Sequence, residues 1–150
     1  MEQLVAQAVV RQTQQLPYRD GQFSGGCLCA KTRFSTTQLR DLVYCQCSQC
    51  RHWHGGFAAY SATPKALLKI KDSNTLRWVQ SSSRARRGFC VSCGSSIFWE
   101  SQSQPYIGIV AGSIDEGSGL HGVRHIYVND QAPCYTIDDG LPQFRGSMLV

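Results

Sequence analysis

The chain has 150 residues, a net charge of +5, 42% hydrophobic and 17% charged residues, and eight cysteines. That length suits one domain with a real core, and the composition excludes both a disordered chain and a membrane protein. The longest apolar run, residues 107–111, is far too short to cross a bilayer.

In chain order, Leu4, Val5, Ala8, Val9, Gln12 and Leu16 share one side of a helical wheel and predict a short amphipathic helix that Pro17 ends. This stretch has no unbroken apolar segment of the secretory type. The expectation is therefore a cytoplasmic chain, in whose reducing surroundings clustered thiols read as metal ligands rather than disulfides. From Gln22 onward the chain turns to short strand-like runs separated by Gly, Ser, Asn and Pro. Strands are expected within 22–34 and at 57–62, 67–71, 76–81, 84–89, 96–100, 106–111 and 124–128, with a turn around 48–53. Short strands at fairly regular spacing predict a mainly β, mostly antiparallel fold. Residues 1–20 read as an accessory segment and 21–150 as one zinc-binding domain.

The cysteines fall into groups. Cys27-x-Cys29 and Cys90-x-x-Cys93 are two pairs about sixty residues apart, with Gly25-Gly26 before the first and Gly94 after the second. Small residues let the backbone turn tightly enough to aim N–H groups at thiolate sulfurs. Two such knuckles can close a four-cysteine structural zinc site that staples distant strands. Cys45-x-Cys47-x-x-Cys50 places three more thiols within six residues, a density suited to one soft metal ion. Three ligands leave a tetrahedral ion one position short. Either Cys134, His52, His54 or His125 closes it, giving a structural site, or it stays open for water or substrate. An open site with three thiolates is electron-rich and a weak Lewis acid, so it suits thiol binding and addition to a soft or carbonyl electrophile better than hydrolysis.

Arg84, Arg86 and Arg87 form the densest charge, readable as a solvated strand face or as a landing site for an anion. Without interleaved aromatics to stack bases, nucleic acid is disfavoured. His125 reads as a packing or hydrogen-bonding histidine, Trp78 and Trp99 as core or rim, and Asp115 and Asp139 as turn residues. Trp53 lies close enough to the second cluster to touch a ligand. Arg51 directly follows a thiolate and would hold a ligand carboxylate or offset the site's charge.

From Gly25 to Phe144 the chain resembles the glutathione-dependent formaldehyde-activating enzyme family, which also includes centromere protein V. The matching segments are Gly26-Cys27-Leu28-Cys29, Cys45-Gln46-Cys47-Ser48-Gln49-Cys50-Arg51 with His54-Gly55-Gly56, and Arg87-Gly88-Phe89-Cys90-Val91-Ser92-Cys93-Gly94-Ser95. After them come Ala111-Gly112-Ser113-Ile114-Asp115, His125-Ile126-Tyr127-Val128 and Asp139-Gly140-Leu141-Pro142-Gln143-Phe144. The resemblance implies a β-tent fold of small coiled antiparallel sheets pinned by zinc, with two zinc ions per chain. One ion would be structural, on Cys27, Cys29, Cys90 and Cys93. The other, on Cys45, Cys47 and Cys50, would be catalytic and open near the substrate. It implies a carbon–sulfur lyase related to S-hydroxymethylglutathione synthase, joining a glutathione-like thiol to formaldehyde or another small aldehyde, with Arg51, Trp53 and Arg87 as candidate substrate contacts. Centromere protein V keeps a second reading open, a zinc-stabilised module that binds protein or nucleic acid without turnover. Three positions depart from the family pattern. Ala30 replaces a common Gly and is expected to be a tolerable backbone change. Gln46 replaces a common His and can orient a ligand but not shuttle a proton. Cys134 replaces a common Trp and reads as a semi-buried free thiol.

Overall fold

A computed structural model of the chain describes residues 16–147; the expected N-terminal helix lies outside the described residues. Ten strands and one short helix follow in order: β1 (Arg19–Gly26), β2 (Arg33–Leu39), β3 (Leu42–Cys45), α1 (Ser48–His54), β4 (Ala58–Pro64), β5 (Lys69–Asp72), β6 (Leu76–Gln80), β7 (Ala85–Cys90), β8 (Ser96–Ser101), β9 (Tyr106–Val110) and β10 (Gly122–Ile126). The fold is mainly β, as expected. A three-stranded sheet in the order β1-β2-β5 packs against a seven-stranded sheet in the order β10-β3-β4-β9-β8-β7-β6. Every pairing is antiparallel except that of β10 with β3, which is parallel.

Two elements differ from the sequence reading. The run 22–34 is not one strand. The backbone folds back after Gly26, where Cys27 N–H bonds the Thr32 carbonyl at 3.1 Å and Ala30 N–H bonds the Cys27 carbonyl at 3.0 Å. The thiol knuckle is thus the tip of a β1–β2 hairpin. β3 had no strand signal, because its four residues merge into the cysteine motif and its partner β10 lies about eighty residues downstream.

The core lies between the two sheets. Phe34, Leu39, Ile97, Phe98 and Ile109 are at most 1% exposed, and the Phe34 and Phe98 rings meet edge to face at 5.3 Å. Thr36 and Thr63 join the layers through their hydroxyls at 2.7 Å, which satisfies two buried polar groups with one bond. Because strand side chains alternate, the residues between these core positions occupy the other face of the seven-stranded sheet. That outer face carries the site.

Candidate metal centres and a basic cavity

The Sγ atoms of Cys27, Cys29, Cys90 and Cys93 all lie within 4.8 Å of one another. Cys27 and Cys29 are 3.5 Å apart, and Cys29 and Cys90 are 3.7 Å apart. Four sulfurs around a tetrahedral zinc at about 2.3 Å sit about 3.8 Å from each other, so the donor set fits that ion. The hairpin tip supplies one pair and the β7–β8 turn the other, where Gly94 adopts a φ of 78° that favours glycine. Ser95 ties the two knuckles together, with its hydroxyl 3.0 Å from Leu28 N–H and 3.2 Å from Cys93 Sγ. Thr32 N–H donates to Cys27 Sγ at 3.3 Å. Hydrogen bonds from the Ser95 hydroxyl and nearby backbone hold the Cys93 thiol down, to about 5. Such donors stabilise thiolate, the form a metal needs.

Ala30, between the first pair and β2, has a φ of 60°. An L-residue pays for that left-handed backbone where glycine does not, so the replacement is tolerated at a cost. Ala30→Gly is expected to raise stability by about 1 kcal/mol, read as a higher denaturant midpoint with an unchanged slope.

Cys45, Cys47 and Cys50 form the second group, again with all sulfurs within 4.8 Å of one another. Cys45 ends β3. Cys47 is the N-cap of α1, its sulfur accepting the Cys50 N–H at 3.4 Å. Cys50 is buried in the first helical turn. The cap that starts the helix is therefore also what gathers the thiols. Hydrogen bonds from Cys45 and then Cys50 drive the Cys47 thiol down to about 2, while its neighbours are pushed up. The donor set fits a soft metal with three protein ligands.

These three sulfurs line one end of a cavity of about 400 Å³. Its floor is the outer face of the large sheet, as the register dictates. Arg124 and Ile126 of β10 lie opposite Val43 and Cys45 of β3, followed by Tyr60 and Ala62 of β4. The row then runs from Ala62 through Gly108 and Trp99 to Arg87. Gly108 sits in this row, where a Cβ would make ordinary contact, at 3.4 Å, with both Trp99 and Tyr60. Arg40 and Arg84 lie in the walls, so among the described residues four arginines and no carboxylate line the cavity. Arg40 packs over the Tyr106 ring at 4.2 Å. Arg87 is 2% exposed and reaches both Tyr60 Oη, at 3.1 Å from Nη1, and Cys50 Sγ, at 3.7 Å from Nη2. Burial works against its charge, but Tyr60 and the Cys50 sulfur more than offset this.

Among the residues singled out from sequence, Arg87 alone lines both this cavity and a neighbouring hollow next to α1. Trp53 lines only the neighbouring hollow, with its indole N–H donating to Ser96 Oγ at 2.8 Å. Arg51 lines neither, because successive helical residues face different ways. The arginine run is not one solvated face. Arg86 turns to the other side, where it pairs with Glu100 at 2.5 Å and stacks on Trp78 at 4.2 Å. Cys134 is exposed rather than semi-buried and lies outside both metal groups. Asp115 and Asp139 do more than turn the chain. Asp115 receives Arg33 at 2.5 Å and the Ser24 hydroxyl, and Asp139 accepts His125 Nε2–H at 2.8 Å. His125 is a buried hydrogen-bonding histidine: Gln46 Nε2 donates to its Nδ1 at 3.1 Å, and Tyr135 donates to Gln46 Oε1. Gln46 therefore orients a buried network that ties the C-terminal segment to the metal loop.

Sequence reasoning missed Tyr60, Arg40 and Arg124, and took His54 only as a possible ligand. His54 Nε2 instead meets Tyr60 Oη at 2.9 Å. Burial, and then the charge of Arg87, lower its pKa from 6.5 to about 4. Between those values the unfolded chain binds the extra proton. The stability owed to neutral His54 is thus complete above pH 6.5 and is lost as pH falls toward 4. The whole shift corresponds to about 3 kcal/mol, reduced by partial exposure to about 1–2 kcal/mol. Urea unfolding of wild type minus His54→Gln is expected to decline across that window, and a flat difference would contradict it.

The fold defines a mainly β protein with two cysteine groups that could hold metal, one joining two strand turns and one beside a basic cavity. The model of the glutathione-dependent formaldehyde-activating enzyme family matches residues 22–130, and the chain belongs to that family. It is 26% identical over 118 residues to an uncharacterised lyase of Schizosaccharomyces pombe, a match covering 76% of this chain and 84% of the relative. Its fold matches the crystal structure of a Rhodobacter sphaeroides protein with a TM-score of 0.54 and 21% identity, over 67% of this chain and 99% of that one.

Proposed function

We propose that the protein is a zinc-dependent carbon–sulfur lyase of the S-hydroxymethylglutathione synthase type, adding a glutathione-like thiol to formaldehyde or another small aldehyde. The observation that carries this reading is the pairing, within one cavity, of three convergent sulfurs and four arginines, with no carboxylate among the described lining residues. A metal at the sulfurs selects a thiol, and the arginines select an anionic one. Family membership and the lyase name of the fission-yeast relative support the same class of reaction.

A zinc ion held by Cys45, Cys47 and Cys50 would supply a binding position that favours the thiolate form of the substrate at neutral pH. The chain's own residues do the rest. Arg40, Arg84 and Arg124 offer charge-assisted hydrogen bonds to the carboxylates of a tripeptide thiol. Arg87 offsets the negative charge of the sulfurs. Fixing the thiol against the sheet floor converts a bimolecular encounter into an oriented one, in which the thiolate attacks the aldehyde carbon.

Exchange spectroscopy of glutathione with labelled formaldehyde, with and without the zinc-loaded protein, tests the reading. Faster interconversion that disappears in Cys47→Ser is the expected result. No acceleration by protein carrying two zinc ions would sink it in favour of a binding module or another thiol.

A further inference from the structure

We propose that Tyr60 is a catalytic residue that relays the proton from the substrate thiol to the developing alkoxide oxygen, with His54 holding that proton in between. This rests on the lyase reading above. Register places Tyr60 next to the metal group. It sits in β4 opposite Val43, two residues from Ala58, which pairs with Cys45. Diagonal neighbours on one sheet face are within reach of an aromatic side chain, and Tyr60 lines the cavity with all three sulfurs.

Its hydroxyl is the middle of a chain of polar atoms. Arg87 Nη1 donates to Tyr60 Oη at 3.1 Å, and Arg87 Nη2 donates to Cys50 Sγ at 3.7 Å. His54 Nε2 lies 2.9 Å from the same oxygen, and in the Nδ1–H tautomer it is the acceptor of the hydroxyl's proton. The arginines of the cavity give up no proton at accessible pH. Tyr60 is the proton carrier whose hydroxyl touches both Arg87 and a base. Burial keeps it a neutral phenol at rest, and the Arg87 guanidinium steadies the oxygen while a proton passes.

The step balances without a further reactant. The thiol S–H bond breaks, its proton goes to Tyr60 Oη, and the hydroxyl's own proton moves to His54 Nε2. Sulfur keeps the electron pair and forms the C–S bond as the carbonyl π pair moves to oxygen. That alkoxide takes its proton from Tyr60, which recovers the one on His54. Nothing is oxidised or reduced, and the reverse sequence releases aldehyde and thiol. His54 is partly exposed and lies at the C-terminal end of α1, a position that holds a proton only transiently.

The test compares zinc-loaded wild type, Tyr60→Phe and His54→Gln with glutathione and formaldehyde. Tyr60→Phe is expected to keep both metal ions and its glutathione Kd within about threefold, while the exchange rate falls about 100-fold, the scale of general acid–base catalysis. His54→Gln is expected to keep both ions and its glutathione affinity and to slow exchange on the same scale, because the phenol proton then has no base to move to. An unchanged rate in Tyr60→Phe overturns the relay alone, as does a rate loss matched by lost metal or lost glutathione binding. A wild-type exchange rate in His54→Gln also overturns it. Absence of acceleration by the wild type overturns the relay together with the lyase reading.

Discussion

Cys90→Ser is expected to yield protein that loses its cooperative fold together with its metal, whereas Cys47→Ser stays folded and loses one ion. Cys90 is fully buried within the hydrophobic cluster that contains Phe34, Ile97 and Phe98. Its cysteine group joins the β1–β2 hairpin tip to the β7–β8 turn, which Leu28 N–H and the Ser95 hydroxyl also link at 3.0 Å. Binding of structural zinc by four thiolates is worth about 10–16 kcal/mol. That is as large as the about 5–15 kcal/mol stability of an ordinary domain, so losing one ligand and burying a hydroxyl in its place uses up the margin. Cys47 is only half-buried, at the start of a seven-residue helix outside the core. Its loss costs the cap and one donor to any ion held there, but no contact between the sheets. Metal analysis together with near-ultraviolet circular dichroism separates the two outcomes. Equal unfolding of both variants would refute the division between a stapling ion and a site ion.

Much of this arrangement is written locally and some of it is not. The thiol groups are legible because a short loop, small neighbours and two or three closely spaced sulfurs fix each half-site wherever the rest of the chain goes. The separation of Arg86 from Arg87 is also implicit, since adjacent strand residues face opposite ways. Which of the two faces the metal depends on the register of β7 with β8, set by partners far along the chain. Arg40 and Arg124 reach the cavity from the β2–β3 connection and from β10, whose parallel pairing with β3 has no local signature. Arg51 shows the opposite error. Adjacency to Cys50 in sequence places it about 100° around the helix, not beside the ligand. Tyr60 was hidden for a related reason: its neighbours Ala59, Ser61 and Ala62 give an ordinary strand, and its partner His54 is recruited only when α1 folds back over β4.

Arg87→Met is expected to weaken the second metal ion about 10- to 100-fold, the usual scale for loss of a group that supports a metal ligand, and to leave the first ion unchanged. A divalent ion with three thiolates carries a formal charge of −1, and Arg87 is the cation hydrogen-bonded to one of those sulfurs. At 2% exposure its charge is little screened by solvent. Methionine fills similar volume but deprives the Cys50 sulfur and the Tyr60 hydroxyl of the guanidinium donor, so the cost falls on charge and hydrogen bonding rather than on packing. Arg87→Lys restores the charge as a compact ammonium on a shorter reach, without the planar fork that meets both partners at once. It is expected to recover part of the affinity. Competition against a chromophoric chelator resolves the two ions as separate steps. The second step should shift most in Arg87→Met and less in Arg87→Lys. A shift of both steps together would mean that Arg87 holds the sheet rather than the metal group, and no shift would mean that the sulfurs need no countercharge beyond the ion itself.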